Sequence, residues 1–233
     1  MEELLRREVG GRVAVAVVTE ACDGDIHPER VDPDTLRQRQ LRLTRDPWVM
    51  LDEVHGTDVV VAGANDEWPM AGVGDVLLAN GSDQVLALWV ADCAPLALFG
   101  ANGTSRVVAH CGWRGLAAGI VDVAVDALEA TGTTVAAAVL GPCIHACCYE
   151  FGAADLVEVA AGVGAATDVI TGSTRWGTRA LDVPAAVGAG LARRNIELDS
   201  TGECTGCDLR FWSHRRRADP ERHALVAWFE EAS

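Results

Sequence analysis

Three apolar runs in this chain each end in a residue able to bind a soft or borderline metal. WVADCAPLAL (89–98) carries Cys93 ahead of Pro95. RVVAHCGWRGLAAGI (106–120) carries His110 ahead of the Gly112 turn, and WVMLDEVHGTDVVVA (48–62) carries His55 ahead of Gly56. Short apolar runs broken by Pro or Gly read as buried strands, so the three side chains are expected at strand exits. The chain has only 6 histidines, which gives weight to two of them in such positions. One thiolate and two neutral imidazoles form a zinc set of the open, three-ligand kind, with a position left for water or substrate. The same residues also read as a Cys93–His110 nucleophile and base, or as three unrelated core residues. Asp92, beside Cys93, is a candidate to orient a ligating histidine or to cap its own turn.

The elements that would position these residues follow from period and punctuation. Strands are predicted at 12–18, 57–62, 74–79, 84–91, 95–99, 105–109 and 135–140, each short, apolar and bounded by turn formers. Helices are predicted around Asp34 to Arg45, from Leu116 to Ala130, from about Ala153 to Val163, and over 181–196; in the second, apolar residues recur at three- and four-residue steps. No linker or repeat divides the sequence, so one mixed α/β domain over 1–233 is expected. An apolar fraction of 49% with 23% charged residues describes a well-filled core. The formal charge of −15 argues against nucleic acid or an anionic membrane as partner. MEELLRREVG lacks the apolar core of a signal peptide, and no apolar run is long enough to span a bilayer, so a cytoplasmic location is expected.

Eight cysteines in such a chain point to reduced thiols rather than a disulfide scaffold. Cys204 and Cys207 form a CxxC, and Cys143, Cys147 and Cys148 crowd one loop. Four of these could hold a structural zinc, but one CxxC is a weak signal and free thiols are the expectation.

VHGTDVV, ALWVADCAPLAL, AHCGWRG, GPCIHACCYE and FWSHRRR, in this order from Val54 to Arg217, resemble the successive motifs of the YfiH/YlmD family, once labelled multicopper polyphenol oxidases or laccase-domain proteins. The resemblance implies two mixed β-sheets packed face to face with helices outside. It also implies a zinc-dependent purine nucleoside phosphorylase with accompanying adenosine deaminase and methylthioadenosine phosphorylase activity, and it places the zinc ligands on His55, Cys93 and His110. Departures from the family pattern include Glu20, Glu53 before the VHG motif, Cys111, His145 with Ala146, and His214; Glu221 and Arg222 stand for the late GR pair. They suggest an intact metal core with an altered substrate rim.

Phosphorolysis needs an anion site. GWRG leads into the N-terminus of the predicted 116–130 helix, whose free N–H groups favour anions, and Arg114 adds a planar donor. Ser213, Arg215 and Arg216 form a second basic cluster, which would otherwise be a solvated face. Trp113 is expected either to stack on a purine or to pack over the helix start, and Tyr149 and His145 are candidates to line the pocket. Purine nucleoside and phosphate are the expected partners, for a monomer or homodimer. A copper-dependent phenol oxidase is the first alternative, but a laccase needs several copper sites and more than 6 histidines. A cysteine hydrolase acting on an amide in cell-wall quality control, with Cys93 and His110 as its dyad, is another. A non-catalytic zinc-bound regulator is the third.

Overall fold

Strand after strand of this chain is apolar on both faces, and each face meets a different core. The computed structural model describes residues 1–63, 68–81 and 83–232. The chain opens with β1 (Glu2–Val9) and β2 (Arg12–Val18), then α1 (Pro33–Leu43), whose start is set by Pro33 and by Asp32 accepting from the Thr35 N–H at 3.0 Å. Six strands and a seventh follow: β3 (Trp48–Asp52), β4 (Val59–Val61), β5 (Met70–Val73), β6 (Val76–Ala79), β7 (Val85–Val90), β8 (Ala94–Gly100) and β9 (Arg106–Cys111). Helices then intervene: α2 (Trp113–Ala117), α3 (Ile120–Glu129), β10 (Val135–Leu140), α4 (Ala153–Val163), α5 (Thr167–Ile170), the hairpin β11 (Thr171–Ser173) and β12 (Arg179–Leu181), and α6 (Val183–Arg193). The chain closes with β13 (Asp199–Ser200), α7 (His214–Arg217) and β14 (His223–Glu231).

The strands form two six-stranded mixed sheets, ordered β1-β2-β14-β7-β3-β5 and β13-β10-β8-β9-β6-β4. Because side chains alternate along a strand, Leu225, Ala227 and Phe229 of β14 face inward with Leu86 and Leu88 of β7. They meet Ala97, Phe99, Val108 and Leu77 of the second sheet. Phe99 and Phe229 close this seam edge to face at 5.4 Å. The outer face of the second sheet (Leu96, Leu98, Val107, Ala109) lies under Ile120, Val125, Leu156 and Val187 of the helices. On the outer face of the first sheet, Val226, Ala87 and Met50 pack with Leu36 of α1. This is the mixed α/β architecture of two facing sheets with outer helices. Among the described residues, no helix is long and apolar enough to cross a membrane.

Three expectations change in detail. The helix predicted over 116–130 is two helices, α2 starting already at Trp113 and α3 at Ile120. Gly119 between them has φ 85, a left-handed conformation that ends one helix and turns the chain into the next. The helix predicted over 181–196 runs Val183–Arg193, with Asp182 as its N-cap accepting from the Ala185 N–H at 3.1 Å. β1 and β14 were not among the predicted strands.

The two sheets exchange the chain repeatedly. β3, β5 and β7 belong to the first sheet, and β4, β6 and β8, which follow them, belong to the second. The three short crossings from the first sheet to the second contain His55, Asp75 and Cys93.

α2 lies close against α4 at a glycine. A Cβ on Gly162 would fall 2.2 Å from the Leu116 carbonyl oxygen and 2.3 Å from that of Ala117. Gly162→Ala should therefore force the helices apart and cost about 1–3 kcal/mol. Gly188→Ala in α6, where the nearest atom is Leu198 Cδ2 at 3.9 Å, should be neutral or stabilising by up to about 1 kcal/mol. Urea unfolding of the two variants should shift the midpoint in opposite directions, or leave it unmoved for Gly188→Ala; equal losses would contradict the packing described.

Candidate metal and substrate site

His55 follows β3 by three residues and sits at φ 62. That unusual conformation is held by one carboxylate: Asp75 accepts the His55 N–H at 2.9 Å and the Gly56 N–H at 2.6 Å. Cys93 lies in the turn joining β7 to β8, and its Sγ is 3.8 Å from His55 Nε2. His110 lies inside β9, one residue from its end, opposite Pro95 of β8. The ligand atoms of His55, Cys93 and His110 all lie within 4.8 Å of one another. Gly112 makes this convergence sterically feasible, because a Cβ there would lie 2.8 Å from His55 Cδ2 and 3.4 Å from Cys93 Sγ.

Asp75 also fixes the third member. Its Oδ1 is 2.9 Å from His110 Nδ1, and its backbone oxygen accepts the His110 N–H at 2.8 Å. With Nδ1–H donating to the carboxylate, Nε2 of His110 keeps its lone pair for a metal or a proton, the usual way a ligating histidine is oriented. Asp75 is 0% exposed. Asp92 plays no part in this: its carboxylate accepts from Thr205 Oγ1 (2.7 Å), Ser213 Oγ (2.7 Å) and the Arg215 N–H (2.6 Å). One soft sulfur and two imidazole nitrogens, one already oriented by a carboxylate, fit zinc as a three-ligand site. They would also suit a single copper. Only His55 and His110 of the 6 histidines converge there, however, which does not supply the several copper centres of a laccase.

The electrostatics favour a charged site. Burial pushes the Cys93 thiol up, but the His110 charge and hydrogen bonds from His110 and His55 outweigh it, and the thiol falls to about 6. Burial works against a charged His110, yet the charges of Glu53 and Cys93 and the Asp75 hydrogen bond raise it well above its ordinary value. Glu53, 3.5 Å from His110 Nδ1, is pushed up to about 7 by burial, with His110 pulling the other way. Cys111, on the same strand, is a buried core thiol whose burial drives it far up and keeps it inert.

The three residues line a cavity of about 430 Å³, within the usual range for small-molecule sites. Trp113, Arg114, Tyr149 and Arg215 share that lining. Arg114 lies over the Trp113 ring at 4.6 Å and Arg215 over the Tyr149 ring at 5.1 Å, while Trp113 also packs edge-on to Phe151 at 5.5 Å. Ser213 and Arg216 are not on the lining. Ser213 is fully buried as the N-cap of α7, bonded to Asp92, and Arg216 lies over Trp176 at 4.9 Å. His145 and Glu20 are likewise off the lining. The helix start behind Arg114 belongs to five-residue α2, not to a long helix. Cavity residues outside the candidates drawn from the sequence include His27, Trp89 and Arg222, with the His27 and Trp89 rings 4.6 Å apart and tilted by 37°. Asp75 was absent from those candidates as well. A signal for it exists in the β6–β9 ladder, where Val76 pairs with Ala109 and Asp75 therefore falls beside His110.

Asp75→Asn should keep the fold, because the shape is conserved, but it puts an amide donor where an acceptor is needed. Metal affinity, read by competition with a chromogenic chelator, should fall ten- to a hundredfold; an unchanged affinity would remove Asp75 from the site. In metal-free protein, alkylation of Cys93 by iodoacetamide should rise with pH to half its maximum near 6, since only the thiolate reacts. A midpoint near that of an ordinary cysteine, about 8.5, would contradict the electrostatics above.

The motifs and the geometry agree with what this chain is similar to. A family model described as "multi-copper polyphenol oxidoreductase laccase" matches residues 24–230. A protein of Streptomyces coelicolor named purine nucleoside phosphorylase is 35% identical over 186 residues, 78% of this chain and 75% of the relative. One of Pseudomonas aeruginosa with the same name is 30% identical over 212 residues, 86% of this chain and 83% of the relative. Among solved structures, YlmD of Geobacillus stearothermophilus superposes with a TM-score of 0.83 at 22% identity, over 98% of this chain and 100% of its own. YfiH of Bacillus licheniformis superposes at 0.80 and 20%, over 96% and 98%. The chain belongs to the laccase-domain family of the multi-copper polyphenol oxidoreductase model, whose relatives include YfiH and YlmD.

Proposed function

We propose that this chain is a zinc-dependent purine nucleoside phosphorylase, converting adenosine, inosine, guanosine and methylthioadenosine with phosphate to free base and ribose 1-phosphate (the methylthio sugar phosphate in the last case), with adenosine deaminase activity at the same site. The observation that carries the reading is the shared cavity: a His–Cys–His ligand set and two arginines, Arg114 and Arg215, face one space large enough for a nucleoside. Relatives named purine nucleoside phosphorylase at 30–35% identity support it. Zinc held by His55, Cys93 and His110 would supply Lewis acidity.

The chain's own residues account for the rest of the reaction. In phosphorolysis a phosphate oxygen bonds to C1′ of the sugar as the C1′–N bond breaks, and the base leaves with a proton. Of the three arginines on the lining, Arg222 points Nη1 at the backbone carbonyls of Asp219, Pro220 and Glu221, and Arg114 and Arg215 are the guanidinium groups proposed to take phosphate oxygens in two-pronged fashion. Glu53, a buried carboxyl on the lining that burial pushes up, is the group proposed to carry a proton toward the departing base. Trp113 and Tyr149 hold the two guanidinium groups on the wall, Arg114 over the Trp113 ring at 4.6 Å and Arg215 over the Tyr149 ring at 5.1 Å.

Incubation with adenosine or inosine should release base only when phosphate is present, with ribose 1-phosphate as co-product. Free ribose at an undiminished rate in phosphate-free buffer would replace phosphorylase with hydrolase. Arg114→Ala should lower phosphorolysis ten- to a hundredfold or more, from about 1.5–3 kcal/mol for a lost charged hydrogen bond, at normal zinc content. Arg114→Lys should restore only part of it. Deamination of adenosine, which uses no phosphate, should suffer less, and unchanged phosphate saturation in Arg114→Ala would move the phosphate site away from this arginine.

A further inference from the structure

Away from the cavity's His–Cys–His set, four cysteines from two distant segments meet. Cys147 and Cys148 lie in a single 3-10 turn, Ala146–Cys148, and Cys204 and Cys207 bracket a CTGC knuckle. Cys147 Sγ is 3.8 Å from Cys148, 3.7 Å from Cys204 and 3.5 Å from Cys207, and Cys148 Sγ is 3.4 Å from Cys207. All four sulfurs lie within 4.8 Å of one another. None of these separations is near the about 2.05 Å of a disulfide. They match the about 3.8 Å edge of a tetrahedron whose corners are sulfurs about 2.3 Å from a central zinc.

We propose that Cys147, Cys148, Cys204 and Cys207 form a second, structural zinc site, separate from the cavity and independent of the catalytic reading. Four thiolates are the donor set of a closed zinc centre with no position left for substrate. The surroundings are built for sulfur that carries negative charge. Arg175, in the turn between β11 and β12, directs Nη2 at Cys148 Sγ and lies 3.3 Å from Cys207 Sγ. Its backbone N–H donates to the Cys147 carbonyl at 3.1 Å. The His145 N–H donates to Cys204 Sγ at 3.4 Å, the kind of outer contact that orients a metal ligand. Gly206 leaves the room the knuckle needs, as a Cβ there would lie 2.9 Å from Cys148 Sγ. On metal entry the four Sγ–H protons pass to solvent, and four thiolates with one divalent cation leave a charge of −2, which Arg175 partly offsets. The ion would tie the 146–148 turn, the 203–208 loop and the β11–β12 hairpin together. Thr205 beside Cys204 bonds Asp92, and Tyr149 beside Cys148 lines the cavity, so the clamp would brace the cavity wall that carries no ligands of the first metal.

The test removes the cavity site and counts what is left. Cys93→Ala, purified under reducing conditions, should retain about one zinc per chain, and Cys93→Ala/Cys204→Ser/Cys207→Ser about none. Because the triple variant could lose zinc by misfolding, Cys93→Ala is also reconstituted with cobalt. Strong sulfur-to-cobalt absorption in the near ultraviolet and tetrahedral bands in the red are expected, which two histidines alone would not give. Cys207→Ser, at an exposed position, should weaken those bands, and Cys22→Ser, at another exposed cysteine, should leave them unchanged. A metal-free Cys93→Ala, iron in place of zinc, or a disulfide mapped among the four cysteines would each overturn the proposal.

Discussion

The carboxylate of Asp75 is the constraint on which the candidate metal site depends. It is fully buried, and a buried carboxylate without partners costs several kcal/mol. Its partners are the peptide N–H groups of His55 and Gly56 and the imidazole of His110. The loop that carries one ligand and the strand that carries another are therefore locked to a single acceptor. His55 could not hold its left-handed backbone cheaply without such support. The cost of burying Asp75 and the cost of bending the chain at His55 are met by the same hydrogen bonds.

The sandwich explains why these groups lie together at all. A chain passing from one sheet to the other must leave its ladder for a few residues, and at such points backbone and side chains turn away from strand geometry. β3 to β4, β5 to β6 and β7 to β8 all cross in the same direction. His55, Asp75 and Cys93 occupy the three crossings, and β9 brings His110 to the same end through its pairing with β6 and β8. No crossing alone makes a site; the stacking of three is what concentrates polar chemistry at one edge of an apolar core.

That arrangement sets what could be read from the sequence. Cys93, His110 and His55 were legible because each interrupts an apolar run just before a Pro or Gly, and α4 was legible in full because its apolar period is regular and Gly164 ends it. β1 was not: EELLRREV buries little besides Leu5 and Val9, so charges on an edge strand hide its period. The break at Gly119 was hidden as well, because the apolar spacing runs on through α2 and α3. Asp75 escaped notice for a different reason. A lone aspartate before a strand reads as a turn residue, and its meaning lies in the register between β6 and β9, which no local pattern contains. Ser213 and Arg216 show the converse: the FWSHRRR cluster is basic in sequence, yet of its residues only His214 and Arg215 line the cavity, since a four-residue helix points successive side chains in different directions.

A chain with a formal charge of −15 is an unpromising host for phosphate until distances are considered. At physiological ionic strength, charges more than about 8 Å away are largely screened, so the acidic surface weighs little against groups on the cavity wall. Arg114, Arg215 and Arg222 are on that wall. What holds Arg215 there is the second buried carboxylate, Asp92, which accepts its peptide N–H together with the hydroxyls of Thr205 and Ser213. Asp75 and Asp92 thus face opposite tasks from neighbouring crossings: one aligns the residues that can hold a metal, the other draws the C-terminal loop and its arginine against them. Because Cys93 directly follows Asp92 in the chain, a shift of that loop would be felt one peptide away from a candidate metal ligand. The two halves of the cavity are in this way coupled through the backbone of a single turn.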